Sequence, residues 1–105
     1  MNFNFQADFF DLVAKDLIDA KKWYYEQSPH TDLEERFSQQ VQNTLKNVIK
    51  NPFIYHQRYL KIQVAYTKVF PFGIYFYTDE EIEKIIIVAV LHNKMDVNVV
   101  LNQRL

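Results

Sequence analysis

The chain carries three histidines, His30, His56 and His92, and no cysteine. Thiolate nucleophiles and a disulfide framework are thereby excluded, and a reducing, cytoplasmic setting fits. The histidine spacing suggests no metal site. His92 ends an apolar run, residues 85–91. There an imidazole can move a proton or donate to a phosphate. The plainer and preferred reading is a strand-end histidine bonded to a neighbouring backbone carbonyl. His30, in a turn, and His56, in a loop, read as solvated. The other residues able to recognise phosphates, bases or a protein partner are Lys61, Gln63, Lys68, Tyr75, Tyr77, Lys94 and Arg104. Lys61 and Gln63 have the same parity in one segment, as do Tyr75 and Tyr77 in the next, beside Gly73. Basic and aromatic side chains on one sheet surface can hold phosphates and stack bases, and they serve a protein interface equally well. For catalysis the solvated face of an ordinary sheet is the stronger alternative. Asp79, Glu80, Glu81 and Glu83 read as a solvated hairpin turn, not a metal cluster. With one glycine and no phosphate loop, nucleophile elbow or dinucleotide fingerprint, no cofactor is expected and a conventional small-molecule enzyme is improbable.

The elements that must position these groups follow from periodicity. Phe72, Ile74 and Phe76 alternate with Gly73, Tyr75 and Tyr77, a strand with two different faces. Residues 85–91 (IIIVAVL) are apolar throughout and mostly β-branched, which predicts a central strand covered on both faces. A helix is rejected because the run is short and β-branching restricts χ1 there. Leu60, Ile62, Val64 and Tyr66 alternate with Lys61, Gln63 and Ala65, giving a third strand that turns through residues 68–71. Upstream, Phe3, Phe5 and Ala7 alternate with polar residues, predicting a strand near residues 2–7.

From Phe10 the period changes. Phe10, Val13, Leu17, Ala20 and Tyr24 recur at three and four, while Asp11, Lys15, Asp16, Asp19 and Lys22 fall on other faces. This predicts an amphipathic helix over residues 11–27, capped by Asp8 or Asp11 and ended by Ser28-Pro29. Thr31 and Glu34 have capping-box spacing. A second helix over 32–50 follows, with Phe37, Val41 and Leu45 on its apolar face and Asn51-Pro52 at its end. The tail, 95–105, reads as a short strand on Val97, Val99 and Leu101 or as a frayed helix. The sequence leaves that choice open. The whole is one α+β domain, 1–105: a two-layer structure with an antiparallel sheet of three to five strands and a helical hairpin packed on one face. Phe37, Val41, Leu45, Ile87, Ala89 and Leu91 are the expected core.

At 105 residues and 49% hydrophobic, the chain supports one modest core. No signal peptide is recognised, and no apolar run approaches the roughly 20 residues of a membrane span. The net charge of −1 favours no nucleic acid overall. Because most acids beyond Pro52 sit in one turn, the remaining sheet surface is expected to be basic.

The order strand, helix, helix, strand, strand, strand resembles the RelE/ParE superfamily of toxins from type II toxin–antitoxin modules, especially its ParE-like plasmid-stabilisation branch. Four stretches carry the resemblance: Asp16-Leu17-Ile18-Asp19-Ala20 leading to Trp23-Tyr24-Tyr25-Glu26-Gln27-Ser28; Arg36-Phe37 with the apolar stripe to Asn51-Pro52; Phe70-Pro71-Phe72-Gly73-Ile74-Tyr75-Phe76; and Val88-Ala89-Val90-Leu91-His92. The resemblance implies the same α+β fold, a small cognate antitoxin encoded next to the toxin, and growth inhibition. A ParE-like toxin blocks DNA gyrase without chemistry of its own, and that reading is preferred. A RelE-like toxin cleaves mRNA on the ribosome; here Lys61, Lys68, Tyr75, His92 and Lys94 would supply its phosphate, stacking and proton groups. A member that binds its antitoxin and harms nothing, or a self-associating homodimer, completes the alternatives. Two departures matter: where the family pattern has arginines, this chain has Gln63 and Met95. Both losses remove bidentate phosphate binders and weaken a ribonuclease most. Restoring arginine at both is the expected route to regained toxicity.

Overall fold

The computed structural model describes residues 4–105. Strand β1 (Gln6–Phe9) leads into α1 (Leu12–Gln27) and α2 (Leu33–Lys50). A 3₁₀ turn (Pro52–Ile54) precedes β2 (Gln57–Tyr59), β3 (Ile62–Tyr66), β4 (Phe72–Asp79) and β5 (Lys84–His92), and α3 (Val97–Arg104) follows. The five strands form one sheet in the order β1-β5-β4-β3-β2. β2 through β5 are an antiparallel meander, while β1 pairs parallel to β5, Gln6 opposite Lys84 and Phe9 opposite Ile87. This is the expected α+β fold, with the helical hairpin on one face. The first strand lies later than expected, and Asn2 and Phe3 of that expectation fall outside the described residues. Among the described residues no helix is long and apolar enough to cross a membrane.

The apolar stripes read from the sequence build the main core. Val13, Ala20 and Tyr24 of α1 and Phe37, Val41 and Val48 of α2 meet Phe70, Phe72, Ile74, Phe76, Ile85 and Ile87 from the sheet side. Phe37, fully buried, is its aromatic centre, with ring centroids 4.9 Å from Phe72, 5.2 Å from Tyr24 and 5.5 Å from Phe70. Leu45 is only partly buried at its margin.

β5 is covered on both faces, as its composition predicts, but its alternation is broken. Tyr75 faces Ala89 while Phe76 faces Ile87, so Val88 is an extra residue, a β-bulge. The bulge inverts the parity. Ile85, Ile87 and Val90 point to the helical hairpin, whereas Val88, Ala89 and Leu91 join a second core with Ile62, Val64 and Tyr75. α3 completes that second core through Val97 and Leu101. The tail is thus a helix, and it covers part of the sheet face opposite the hairpin.

The expected helix caps are not formed. Asp11 precedes α1 with helical φ and ψ and makes no side-chain capping bond. Thr31 donates to Ser28 O at 2.9 Å and accepts from Leu33 N at 3.3 Å, closing a turn instead of a capping box with Glu34. Asn51 and Asp96 do cap: their side chains accept from Phe53 N and Val99 N.

β1 ends at Phe9, and the last bond along that edge runs from Phe10 N to Ile87 O. Beyond it the edge of β5 would be open. Two side chains close it. Asp16 of α1 accepts from Val90 N at 3.0 Å, and Arg104 of α3 donates to Val88 O at 3.1 Å. The same two residues form a bidentate ion pair, both N–H···O distances 2.6 Å, with side chains only 9% and 12% exposed. Helices from opposite faces are thus joined around the strand edge. Asp16, expected on a solvated face of its helix, is a buried edge cap instead.

Candidate functional site

The sheet face opposite the helical hairpin positions the candidate groups. Tyr75 lies at its centre, 1% exposed, between Val64 on β3 and Ala89 on β5. Its ring folds back over Gly73: a Cβ there would stand 3.0 Å from both Tyr75 Cε2 and Val64 Cγ2. The glycine is therefore needed for close approach, and the gap expected beside the tyrosines is filled by Tyr75 itself. Burial raises the Tyr75 phenol above its ordinary pKa, with Tyr66 adding to the rise and Arg58 opposing it. The phenol stays protonated at neutral pH and can donate.

The residues expected to act together are separated. Lys61 occupies the turn before β3, with Nζ 4.2 Å from the centre of the Tyr77 ring. Lys68, His92 and Lys94 lie at the other end of the sheet, where β4 begins at Phe72 opposite His92. Phe72 and Tyr77 are five residue steps apart along β4, about 17 Å. His92 is half-buried, its ring edge-on to Phe72 at 5.1 Å, and its Nδ1 accepts from Lys94 N at 3.0 Å. The strand-end role is as expected, but the partner is an amide N–H, not a carbonyl. Lys68 and Lys94 are exposed.

Two candidates are spoken for within the fold. Arg104 is held by Asp16 and Val88 O. Gln63 does not share a face with Lys61; it points toward the hairpin side and is 9% exposed. Its Nε2 donates to Pro52 O at 2.8 Å and Tyr55 O at 3.1 Å, and its Oε1 accepts from Thr78 Oγ1 at 2.7 Å. The amide matches two carbonyls and one hydroxyl, and a guanidinium offers no acceptor for Thr78. Gln63→Arg is therefore expected to destabilise the fold by about 1–3 kcal/mol. Met95→Arg, on an exposed turn, should leave stability within about 0.5 kcal/mol. Thermal unfolding of both variants checks this. A loss of stability at Gln63→Arg would limit how much toxicity restoring both arginines can bring back.

Two clefts meet at Met95. One, of about 240 Å³, lies between α1 and the end of β5 and is lined chiefly by Ala20, Trp23, Phe72, Leu91, His92 and Met95. The other, of about 310 Å³, is formed by Arg58, Tyr66, Tyr75, Asn93, Met95 and Val97. Arg58, on edge strand β2, donates to Asn98 Oδ1 at 2.9 Å and so ties β2 to α3. The sequence-based candidates do not include it, because no strand is expected between the second helix and Leu60. The short alternation Gln57, Arg58, Tyr59 before the Leu60 turn, where φ is 52°, was the available signal. Among the described residues no group of three or more His, Asp or Glu side chains is placed to hold a metal.

The arrangement offers exposed aromatic and apolar anchors around two clefts, with cations dispersed at the sheet ends. It is suited to recognition. In comparison with known families, residues 8–97 match the family described as the ParE toxin of type II toxin-antitoxin system, parDE. No curated protein matches the chain.

Proposed function

Because the chain belongs to the ParE toxin family of type II toxin–antitoxin systems, we propose that it inhibits growth by binding DNA gyrase, with no chemistry of its own. Family membership brings with it a cognate antitoxin as partner, and a role in plasmid stabilisation is part of the proposal. The observation that carries the non-catalytic reading is the scatter of the ribonuclease candidates. Lys61 stacks on Tyr77 at one end of β4, His92 and Lys94 stand at the other, and Tyr75 is buried between them. Phosphoryl-transfer catalysis needs donors converging on one phosphate, each worth about 10²–10³ in rate.

Induced expression without the antitoxin tests the reading. Growth arrest with an SOS response and intact mRNA is expected. Rapid loss of mRNA would transfer the assignment to a ribosome-dependent ribonuclease acting through Lys61, Lys68, Tyr75, His92 and Lys94. Unimpaired growth, with soluble folded protein in the cell, would reduce the function to antitoxin binding alone.

A further inference from the structure

The cleft of Arg58, Tyr66, Tyr75 and Asn93 contains polar groups the fold itself does not use. The Tyr75 side chain is almost wholly buried, yet its hydroxyl makes no hydrogen bond to the described residues. The hydroxyl is not sealed off from solvent; it opens into the cleft, where a ligand oxygen can take the place of water. Among the described residues, no carboxylate lies within ion-pair distance of Arg58, whose one hydrogen-bond partner is the neutral Asn98 side chain. The Tyr66 phenol and the Asn93 amide, both exposed, are likewise without a side-chain hydrogen bond in the described structure. One guanidinium, two phenols and an amide around about 310 Å³ present four donor groups and a single positive charge.

We infer that this cleft is a monoanion site that takes the carboxylate of an Asp or Glu side chain from the antitoxin, with Arg58 as the charged partner and the Tyr75 hydroxyl, at the cleft floor, as a neutral donor. The source of the carboxylate rests on the toxin–antitoxin reading above; the anion site rests on the cleft alone. A planar carboxylate suits the guanidinium fork. A nucleic-acid strand would need cations along a track. Here Lys68 and Lys94, the exposed lysines at this end of the sheet, do not line the cleft, Lys61 stands over Tyr77 at the far end, and Arg104 is occupied by Asp16.

The test titrates the full-length ¹⁵N-labelled chain with sodium acetate at constant ionic strength, followed by amide and guanidinium resonances. Saturable shifts at Arg58, Tyr66 and Asn93 are expected. Arg58→Gln should weaken acetate binding about tenfold or more, because a charge-assisted bond is lost. Tyr75→Phe should weaken it about threefold or more while leaving the thermal midpoint unchanged or higher, since it deletes a hydroxyl the fold leaves unmatched. Shifts that are absent, or that persist undiminished in folded Tyr75→Phe, overturn the site. A single-stranded RNA oligonucleotide that shifts the same residues at lower concentration than acetate overturns the carboxylate in favour of nucleic acid. In a second arm the variants are copurified with the antitoxin from the neighbouring reading frame. Weakened capture by both supports the assignment. Undiminished capture overturns it while leaving the toxin–antitoxin reading intact. If wild type captures no antitoxin, that reading fails instead, and the acetate titration still decides whether the cleft binds anions.

Discussion

Asp16→Ala is expected to lower the unfolding free energy by about 3–5 kcal/mol, measured by urea denaturation. Three losses coincide in this one substitution. Arg104 keeps a charge in a site where its side chain is only 12% exposed. The Val90 N–H loses its acceptor, and the join between α1 and α3 is broken. An exposed ion pair such as Lys15–Asp19 has none of these consequences, and its removal should leave the urea midpoint almost unchanged. Burial also sets the pattern expected of controls. Asp16→Leu combined with Arg104→Met should cost less than Asp16→Ala, because no unpaired charge remains. A single-variant cost below about 1 kcal/mol would mean that water reaches the pair and that the edge closure is not a stabilising element.

The second large effect is expected at Phe37. Phe37→Ala should cost about 3–5 kcal/mol, and Phe37→Leu clearly less, since leucine refills much of the volume. Phe37 has no exposed surface and contacts three other rings, two of them, Phe70 and Phe72, edge-on. Alanine leaves a void bounded by helix and sheet, where the walls can close in only partially. Aromatic partners add about 0.5–1.5 kcal/mol per pair beyond buried area. The test is thermal or urea unfolding followed by near-ultraviolet circular dichroism, which reports the packed rings directly. A loss of less than about 1 kcal/mol would show that Phe37 is not the anchor between hairpin and sheet.

Much of this architecture is legible in the residues because periodicity is a local property. The two helices, the β4 alternation and the apolar β5 run each lie within one window, and each formed where expected. What escaped depends on partners distant in sequence. Val88 looks like any other residue of its run, and only the register against Tyr75 and Phe76 makes it a bulge. Asp16 reads as a surface acid until the edge of β5 and the tail helix are placed beside it. The same is true of the candidate site. Parity put Lys61 with Gln63, but the chain turns at Leu60 and strand β3 starts only at Ile62, so parity does not carry across. Tyr75 was found by its alternation. Arg58 and the cleft it shares with Tyr75 required β2 to be recognised as a strand. The absent caps at Asp11 and Thr31 show another limit: a residue suited to a helix start can satisfy a neighbouring turn instead.

The parallel pairing of β1 with β5 has a consequence for how the chain is made. Of the five described strands β1 is synthesised first, and its one partner in the sheet, β5, is synthesised last. The side chains of Gln6 and Lys84, which meet across that pair, are 78 residues apart. At about 5–20 residues per second, β1 waits roughly 4–16 s for its neighbour to be translated. The helical hairpin can form early, because its contacts are local. The sheet that it covers cannot close until the ribosome has delivered β5, and α1 and α3 are not joined until Arg104 follows, 88 residues after Asp16. Such long-range closure is slow to nucleate. Throughout that interval the nascent chain exposes the hairpin's apolar stripe while both clefts are still missing the β5 and post-β5 residues, from Val90 to Val97, that line them.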